Sequence, residues 1–323
     1  MNLTRCYRRA LAVCLGAVLW SGCGAQQAPT PTMLAPATRS AGNPWMAPNA
    51  SSGDLLYMSG ACGGICVFTY PGGTLVGQLS DSNSPLGECV DKAGDVFVAD
   101  FGGFEATPAI LEYAHGGTSP IAMLSDPGYF PEACAIDPTT GNLAVTNDGG
   151  PLAIYTGAKG DPTYWADSKA NLNGFCAYDD KGDLFVDGDY TKGSGGYALL
   201  EMPKGSYGFK SIRLNITPSF PGDIQWTGKY LALADNSTVI YHVAITGTKG
   251  KVIGSTVLNG PGGGGQFWIQ GGTIIEPVST SDRLDQVGFW RYPTGGKLRK
   301  KIEGSEFDNA GLFGTVVSPA TSR

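Results

Sequence analysis

Six polar or thiol residues recur at one position of short, otherwise apolar segments that lie 42 to 49 residues apart. They are Glu88, Cys134, Cys176, Asp223, Gln266 and Thr315. If these segments are strands gathered around one axis, two carboxylates and an amide oxygen converge, and such a donor set suits Ca²⁺. Any metal is then expected at Glu88 and Asp223, with Gln266 and Thr315 as further ligand-binding residues. The alternative is a water-filled channel, whose lining needs only groups that hydrogen-bond water.

A second set of polar side chains lies at the end of the apolar run that follows four of these segments. Its members are Asp100, Asn147, Asp187 and Asp235. Such side chains either contact a ligand or bond their own backbone two residues on and start a turn. Because the first segment of each unit begins where the second run ends, we expect both sets at one face, the predicted mouth of a channel.

Histidine-dependent catalysis is disfavoured. The chain has two histidines, His115 and His242, and neither belongs to the two sets above. A Ser-His-Asp triad and a histidine zinc site both require a histidine at the site, and no Gly-x-Ser-x-Gly elbow is present. The sequence therefore predicts no catalytic residue. Most aromatic side chains are expected to pack, while Trp226, Trp268 or Tyr190 forms a sugar platform in the alternative interpretation.

Five of the eight cysteines follow residue 53. Cys62 and Cys66 flank a turn between two predicted strands, where cross-strand Cβ atoms come within about 5 Å, so we predict a disulfide. Cys89 is one residue out of register with Cys134, so the two thiols point either toward each other or apart. Inner strands of different repeat units usually lie further apart than the disulfide limit of about 7 Å, which disfavours this second bridge. Cys176 is then a buried, inert thiol.

The elements that must position these residues form a repeat. Six apolar runs begin 40 to 47 residues apart, at 56–58, 96–98, 143–145, 184–186, 231–233 and 274–275. Most follow a Gly-rich turn and precede two looser runs. Four short strands per unit at this period are typical of a β-propeller blade. Gly314–Ser318 aligns with Gly87–Asp91 and supplies the strand that the first unit lacks. The sequence predicts an all-β, six-bladed β-propeller closed by its C-terminal strand, with Glu88 facing Asp223 across the channel.

Residues 87–100, Gly-x-Cys-Val-Asp-x-x-Gly-Asp-Val-Phe-Val-Ala-Asp, resemble the NHL-type propeller repeat. The whole of 54–319 is similar to a group of uncharacterised bacterial secreted or lipid-anchored propellers, with shared phrases at Glu112–Gly117, Asp137–Thr146 and Gln266–Gln270. The resemblance implies a fold and not an activity, because propellers host enzymes and binding proteins alike. The alternative function is that of a Ca²⁺-dependent lactonase of the senescence-marker-protein (gluconolactonase) type, also six-bladed, which needs only Glu, Asn and Asp around its metal.

The N-terminal region has the pattern of a secretion signal. Arg5, Arg8 and Arg9 precede an apolar stretch that is too short to span a bilayer, and small residues lead into Cys23. Leu19–Cys23 resembles the bacterial lipobox, which implies lipidation of Cys23. We therefore predict a signal peptide over 1–23, a flexible stalk rich in Pro, Ala, Ser and Thr over 24–53, the propeller over 54–319 and a tail over 320–323.

Charge narrows the range of partners. With 22 basic against 28 acidic residues, the chain has a formal net charge of −6, which disfavours nucleic-acid binding. The acidic surface leaves the lipid anchor as the only predicted membrane link. The sequence thus predicts an extracytoplasmic, membrane-anchored lipoprotein, or alternatively a secreted protein. Its predicted function is non-catalytic binding of a protein, glycan or small ligand, with Ca²⁺ as the one cofactor considered.

Overall fold

The computed structural model describes residues 43–80, 82–102, 107–191, 196–235, 238–260, 265–280, 283–307 and 311–320. Within them the chain forms strands and three short 3₁₀ helices. No helix of this described part is long and apolar enough to cross a membrane. The predicted signal peptide, Cys23, the first part of the stalk (to residue 42) and the last three residues of the tail lie outside the described residues.

The strands form six sheets, one for each predicted blade. Blade 1 contains β1 (Trp45–Met46), β2 (Leu55–Ser59), β3 (Ile65–Thr69), β4 (Leu75–Gln78) and the C-terminal β28 (Thr315–Ser318). Blade 2 contains β5 (Pro85–Val90), β6 (Val96–Asp100), β7 (Ala109–Tyr113) and β8 (Ala122–Ser125). Blade 3 contains β9 (Pro131–Ile136), β10 (Leu143–Asn147), β11 (Leu152–Tyr155) and β12 (Thr163–Trp165).

Blades 4, 5 and 6 repeat this plan, and the third strand of each is longer than the third strands of blades 1 to 3. Blade 4 contains β13 (Ala170–Asn171), β14 (Cys176–Tyr178), β15 (Leu184–Tyr190), β16 (Tyr197–Met202) and β17 (Lys210–Ser211). Blade 5 contains β18 (Arg213–Leu214), β19 (Ile224–Trp226), β20 (Leu231–Ala234), β21 (Val239–Thr246) and β22 (Lys249–Asn259). Blade 6 contains β23 (Trp268–Gln270), β24 (Thr273–Thr280), β25 (Arg283–Arg291) and β27 (Lys300–Glu303), while β26 (Gly296–Lys297) pairs with β22. The 3₁₀ helices are η1 (Ala50–Ser52), η2 (Thr156–Ala158) and η3 (Ser305–Phe307).

The hairpin between the first and second strands of a blade is fixed by an aspartate at its start. In blade 2, the Asp91 carboxylate accepts the backbone N–H groups of Ala93 and Asp95 at 2.8 and 2.9 Å. Gly94 then turns the chain at φ 85°, a conformation that favours glycine. The carboxylate of Asp179 does the same in blade 4. This Asp-x-x-Gly pattern explains why the sequence shows its repeat most clearly at these turns.

The core consists of six apolar clusters, each between two neighbouring blades. Successive side chains of a strand point to opposite faces, so one strand contributes to two clusters. In β2, Leu55 and Tyr57 pack against blade 2, whereas Leu56 and Met58 pack against blade 6. Both faces of each blade are therefore buried, which explains the continuous apolar runs in the second strands.

The ring closes as predicted. β28 pairs antiparallel with β2, with Tyr57 opposite Val316 and Met58 opposite Thr315. The seam is held by further contacts, because the Ser318 hydroxyl donates to Gly94 O at 2.6 Å and Ala320 N–H to the Asp54 carboxylate at 2.8 Å. The closing strand thus shares one sheet with the N-terminal strands of blade 1, and β2 is paired on both sides, by β3 and by β28.

The propeller begins earlier than the predicted boundary at Asp54. β1 pairs with β4 as a fifth strand of blade 1, with Trp45 opposite Gln78 and Met46 opposite Gly77. Gly77 makes this possible, because a side chain there would collide with the Met46 thioether. The composition of this segment, poor in aliphatic residues, did not indicate a strand, although Met46 packs against the apolar cluster between blades 1 and 2.

Candidate functional site in the central channel

A cavity of about 220 Å³ lies where the inner strands of five blades meet. Its lining consists of Glu88–Val90, Cys134–Ile136, Pro138, Cys176–Tyr178, Asp180, Asp223–Trp226 and Gln266–Trp268. On each of these five inner strands, the first lining residue belongs to the first predicted set, the one that contains Glu88 and Asp223. The lining then continues along the strand toward the hairpin turn. The cavity therefore opens on the face that carries these hairpins, which we call the hairpin face. The mouth predicted at the opposite face, where the inner strands begin, was wrong.

Gln266 braces the floor of the cavity. Its side-chain oxygen accepts the Glu88 backbone N–H at 2.7 Å, and its amide nitrogen donates to Glu88 O at 2.6 Å. Thr315 is not part of the lining; its hydroxyl donates to Gln266 O at 2.9 Å. These three residues come from blades 2, 6 and 1: the Gln266 side chain joins blade 6 to blade 2, and the Gln266 backbone carbonyl accepts the Thr315 hydroxyl of the closing strand.

Glu88 and Asp223 line the same cavity and are both desolvated. Neither Glu88 oxygen nor Asp223 Oδ2 has a hydrogen-bond partner. Burial raises the pKa of Glu88 well above its usual value. The pKa of Asp223 is also raised, by burial and by the nearby Asp187 carboxylate, although the backbone N–H groups of Ile224 and Phe267 partly offset this. In the absence of a cation, burial therefore favours the neutral, protonated form of both carboxyl groups.

Few side chains in this cavity could serve as metal ligands. Within the described residues, no three His, Cys, Asp or Glu side chains approach one another closely enough to hold a metal ion. Ca²⁺ takes six to eight oxygen ligands, so Glu88 and Asp223 would need additional oxygens from the backbone, from Gln266 or from water. The Ca²⁺ site stays a hypothesis.

The walls of the cavity come from a second ring of residues, of which the sequence analysis singled out only Trp268, as part of a sugar platform. It lies two residues after the first set and contains Val90, Ile136, Tyr178, Gln225 and Trp268. Because side chains alternate along a strand, a residue two positions after a channel-facing residue shares its strand face, and this spacing is the signal that predicts the ring. Trp226 adds a further aromatic ring, which donates to the Asp180 carboxylate at 3.0 Å.

The second predicted set does not line the cavity. The Asp100 carboxylate accepts three backbone N–H groups, from Asn83, Ser84 and Gly102, at 2.7 to 3.0 Å. These bonds fix the loop that enters β5 and start a turn after β6. The structural interpretation of this residue, and not the ligand contact, accounts for its geometry.

Asp187 and Asn147 have similar local roles. The Asp187 carboxylate accepts Phe175 N–H at 2.6 Å and Gly222 N–H at 3.1 Å, while burial raises its pKa to about 8. Asn147 donates to Pro151 O at 2.9 Å. Asp235 is half-buried at the end of β20 and is likewise outside the cavity lining.

The described part of the chain contains two disulfides. Cys62 pairs with Cys66, and Cys89 pairs with Cys134, each with Cα atoms 5.6 Å apart. The expectation that inner strands of neighbouring blades lie too far apart for a bridge was wrong for blades 2 and 3. Gly87 is the reason, because a Cβ atom there would lie only 2.7 Å from Ala133 Cα. Cys176 is a free, buried thiol.

The two histidines are structural. His115 contacts the Ser318 hydroxyl at 2.6 Å and Gly53 O at 3.1 Å, so it helps to hold the closing seam. His242 is buried against Tyr230 and contacts the Thr256 hydroxyl at 2.8 Å. Neither lies in the channel, so the described geometry contains no histidine in position to act on a ligand there.

Comparisons with known proteins identify the fold. No protein-family model matches the chain, and no curated protein matches its sequence. Among solved structures, the chain is similar to a chain from the crystal structure of a nidogen/laminin complex, with a TM-score of 0.62 and 12% identity. The match covers 84% of this chain and 100% of that chain. At this identity the similarity concerns the fold alone, and it agrees with a β-propeller.

Proposed function

We propose that the protein is an extracytoplasmic, lipid-anchored propeller that binds a partner protein by accepting one of its side chains in the central cavity. The observation that carries the proposal is the cavity itself, which joins aromatic walls to a polar floor at the axis of the ring. Its volume of about 220 Å³ is below the roughly 300–1,000 Å³ of pockets that enclose whole small molecules. A single anchoring side chain, or one sugar unit, matches this volume.

The lining also selects the kind of side chain. Three carboxyl groups, those of Glu88, Asp180 and Asp223, are part of it, and no Lys, Arg or His is. An inserted Asp or Glu would lose its hydration without meeting a cation, whereas an apolar or cationic side chain is favoured by Trp226 and Trp268. The structurally similar chain comes from a nidogen/laminin complex, which is consistent with a protein partner for this fold.

Site-resolved photocrosslinking tests the proposal. A benzophenone amino acid placed at Tyr178, on the cavity wall, is expected to crosslink an envelope protein. The matched control carries the same probe at Phe220, which is 56% exposed and precedes inner strand β19 on the opposite face. Trp268→Ala should reduce the Tyr178 crosslink about tenfold, as loss of a central aromatic contact does. Equal crosslinking from the two positions, or none from Tyr178, would count against the proposal.

The lactonase alternative is supported by one observation, the presence of Glu88 and Asp223 in one cavity. It predicts that Ca²⁺ stabilises the folded chain, because a ligand that binds only the native state raises Tm. Wild type should then show a higher Tm in millimolar CaCl₂ than in EDTA, and Glu88→Gln should not. Identical Tm values for wild type in both buffers would remove the metal and, with it, the lactonase.

A further inference from the structure

Positive charge on this acidic chain is concentrated in one short segment. Five of the 22 Lys and Arg residues lie within 291–301, and no Asp or Glu occurs between 286 and 302. They are Arg291, Lys297, Arg299, Lys300 and Lys301. This segment joins β25 to β27 at the outer side of blade 6. Such a local excess of one sign attracts ligands of the opposite sign.

The fold directs three of these cations into one cleft between blades 6 and 1. The cleft has a volume of about 340 Å³, and Arg291, Arg299 and Lys300 line it. Strand pairing sets their positions, because Arg291 lies opposite Thr273 on β24 and Lys300 lies opposite Phe289 on β25. The turn at Tyr70–Gly72 of blade 1 faces them across the cleft. No acidic residue contributes to the lining.

Within the described residues, no carboxylate neutralises the arginine charges of this cleft. Lys301 pairs with Glu303, but neither arginine lies within ion-pair distance of a carboxylate in the described part of the chain. Both arginines are exposed. Lys300 is half-buried and donates to Pro71 O at 2.6 Å and Gly72 O at 2.5 Å, which fixes its charge at the cleft while leaving one N–H free.

We propose that this cleft binds the phosphate group of an anionic ligand. Two guanidinium groups supply planar forks of donors that match phosphate oxygens, and the Lys300 ammonium adds a fixed positive charge. Thr273 lies on the same wall. This site is separate from the central cavity, with which it shares no lining residue. The phosphate comes either from a soluble phosphorylated ligand or from a phospholipid headgroup.

Binding of two probes tests the proposal with the full chain carrying Cys23→Ala, so that no acyl anchor contributes. Inorganic pyrophosphate is titrated by calorimetry, and vesicles of phosphatidylglycerol are compared with phosphatidylcholine by co-sedimentation. The variant is Arg291→Ala/Arg299→Ala. The matched control is Lys249→Ala/Lys251→Ala, which removes the same charge from exposed positions on β22. Because all four side chains are exposed, each variant should keep the wild-type Tm.

The arginine variant is expected to weaken binding by about tenfold or more, while the lysine control changes it little. Arginine-dependent binding of pyrophosphate supports a soluble phosphate ligand. Arginine-dependent binding of phosphatidylglycerol vesicles without pyrophosphate binding supports a headgroup, and it would correct the prediction that acyl chains are the only membrane link. Absence of binding to both probes, or equal loss in the lysine control, would overturn the proposal.

Discussion

Two sets of polar residues recur at fixed positions in the blades, and the structure uses them in opposite ways. Members of the strand-end set act mainly within their own blade, as when the Asp100 carboxylate accepts three N–H groups beside its own strand, although Asp187 also accepts Gly222 N–H from blade 5. Members of the inner-strand set act between blades. Gln266 bonds Glu88, Thr315 bonds Gln266, and Cys134 is linked to Cys89.

This difference explains the residue types of the two sets. The strand-end residues, three Asp and one Asn, have short polar side chains that bond the backbone beside them: Asp100 and Asp187 accept N–H groups, whereas Asn147 donates to Pro151 O. The inner-strand residues make their contacts between blades with different groups, which are an amide in Gln266, a hydroxyl in Thr315 and a disulfide in Cys134. A ring of dissimilar residues is therefore evidence of cross-bracing and not of one shared ligand. Glu88 and Asp223 are the exceptions, because their carboxyl groups keep oxygens without partners.

Removal of the closing strand β28 should destabilise the contacts between blades more than any of the substitutions that follow. Deletion of residues 311–323 takes away Thr315 and β28 and leaves β2 with an unpaired edge. An open edge of this kind templates aggregation, so we expect insoluble protein or the loss of a cooperative melting transition. Thr315→Val serves as the control, because it removes only the hydroxyl bond to Gln266. A truncated protein that melts like the full chain would show that closure contributes little.

The bridge between blades 2 and 3 should have the next largest effect. Cys89→Ala/Cys134→Ala opens a loop with a sequence separation of 45, for which chain entropy predicts a loss of about 4 kcal/mol. Cys62→Ala/Cys66→Ala opens a separation of only 4, for which the same relation gives about 2 kcal/mol. Denaturant unfolding of both variants measures the difference. If the two losses are equal, covalent cross-bracing of the blades is no more important than a local turn.

The Cys89–Cys134 disulfide belongs to the features that could not be predicted from the sequence. The blade count, the closure and the hairpins followed from Asp-x-x-Gly turns and apolar runs, which are local patterns. The Cys89–Cys134 pair and the cavity mouth did not follow, because both depend on how inner strands of neighbouring blades approach one another. That approach is set by single residues such as Gly87, whose missing side chain only matters against Ala133 of the next blade. The strand at Trp45–Met46 was missed because it is only two residues long and too short to show a side-chain pattern.

Loss of a strand-end carboxylate should have a smaller but clear effect. Asp100→Ala leaves three backbone N–H groups without their acceptor, and the Asp100 side chain is buried. Unsatisfied buried donors cost about 1–3 kcal/mol each, and partial access to water reduces the sum, so we expect about 3 kcal/mol. Asp100→Asn keeps one acceptor oxygen and should recover part of this loss. Thermal unfolding that is unchanged in Asp100→Ala would mean that water replaces the carboxylate.

Glu88→Gln should have the smallest effect at acidic pH and a growing one as the pH rises. Burial raises the pKa of Glu88 in the folded protein above its usual value of 4.5. Below about pH 4 the group is protonated in both states, so it contributes no pH dependence. Above that pH the unfolded chain releases the proton while the folded chain keeps it, so wild-type stability falls by at most about 1.4 kcal/mol per pH unit. The fall continues until the pH passes the folded-state pKa. Glutamine does not titrate, so Glu88→Gln should become progressively more stable than wild type as the pH rises from 4.5 toward the folded-state pKa of Glu88.

The pH dependence of this stability difference separates the two interpretations of the inner-strand set, a Ca²⁺ site and a water-filled channel. Glu303→Gln, an exposed substitution, is the control for general charge effects. A difference between Glu88→Gln and wild type that grows with pH in EDTA means that the carboxyl group is neutral in the folded channel, as an uncompensated buried acid must be. In buffer without EDTA, a difference that is constant with pH would mean that Glu88 is ionised in the folded channel, which requires a cation beside it. If Ca²⁺ supplies that cation, removing it with EDTA should restore the pH dependence, and the Ca²⁺ hypothesis would then be preferred to the water-filled channel.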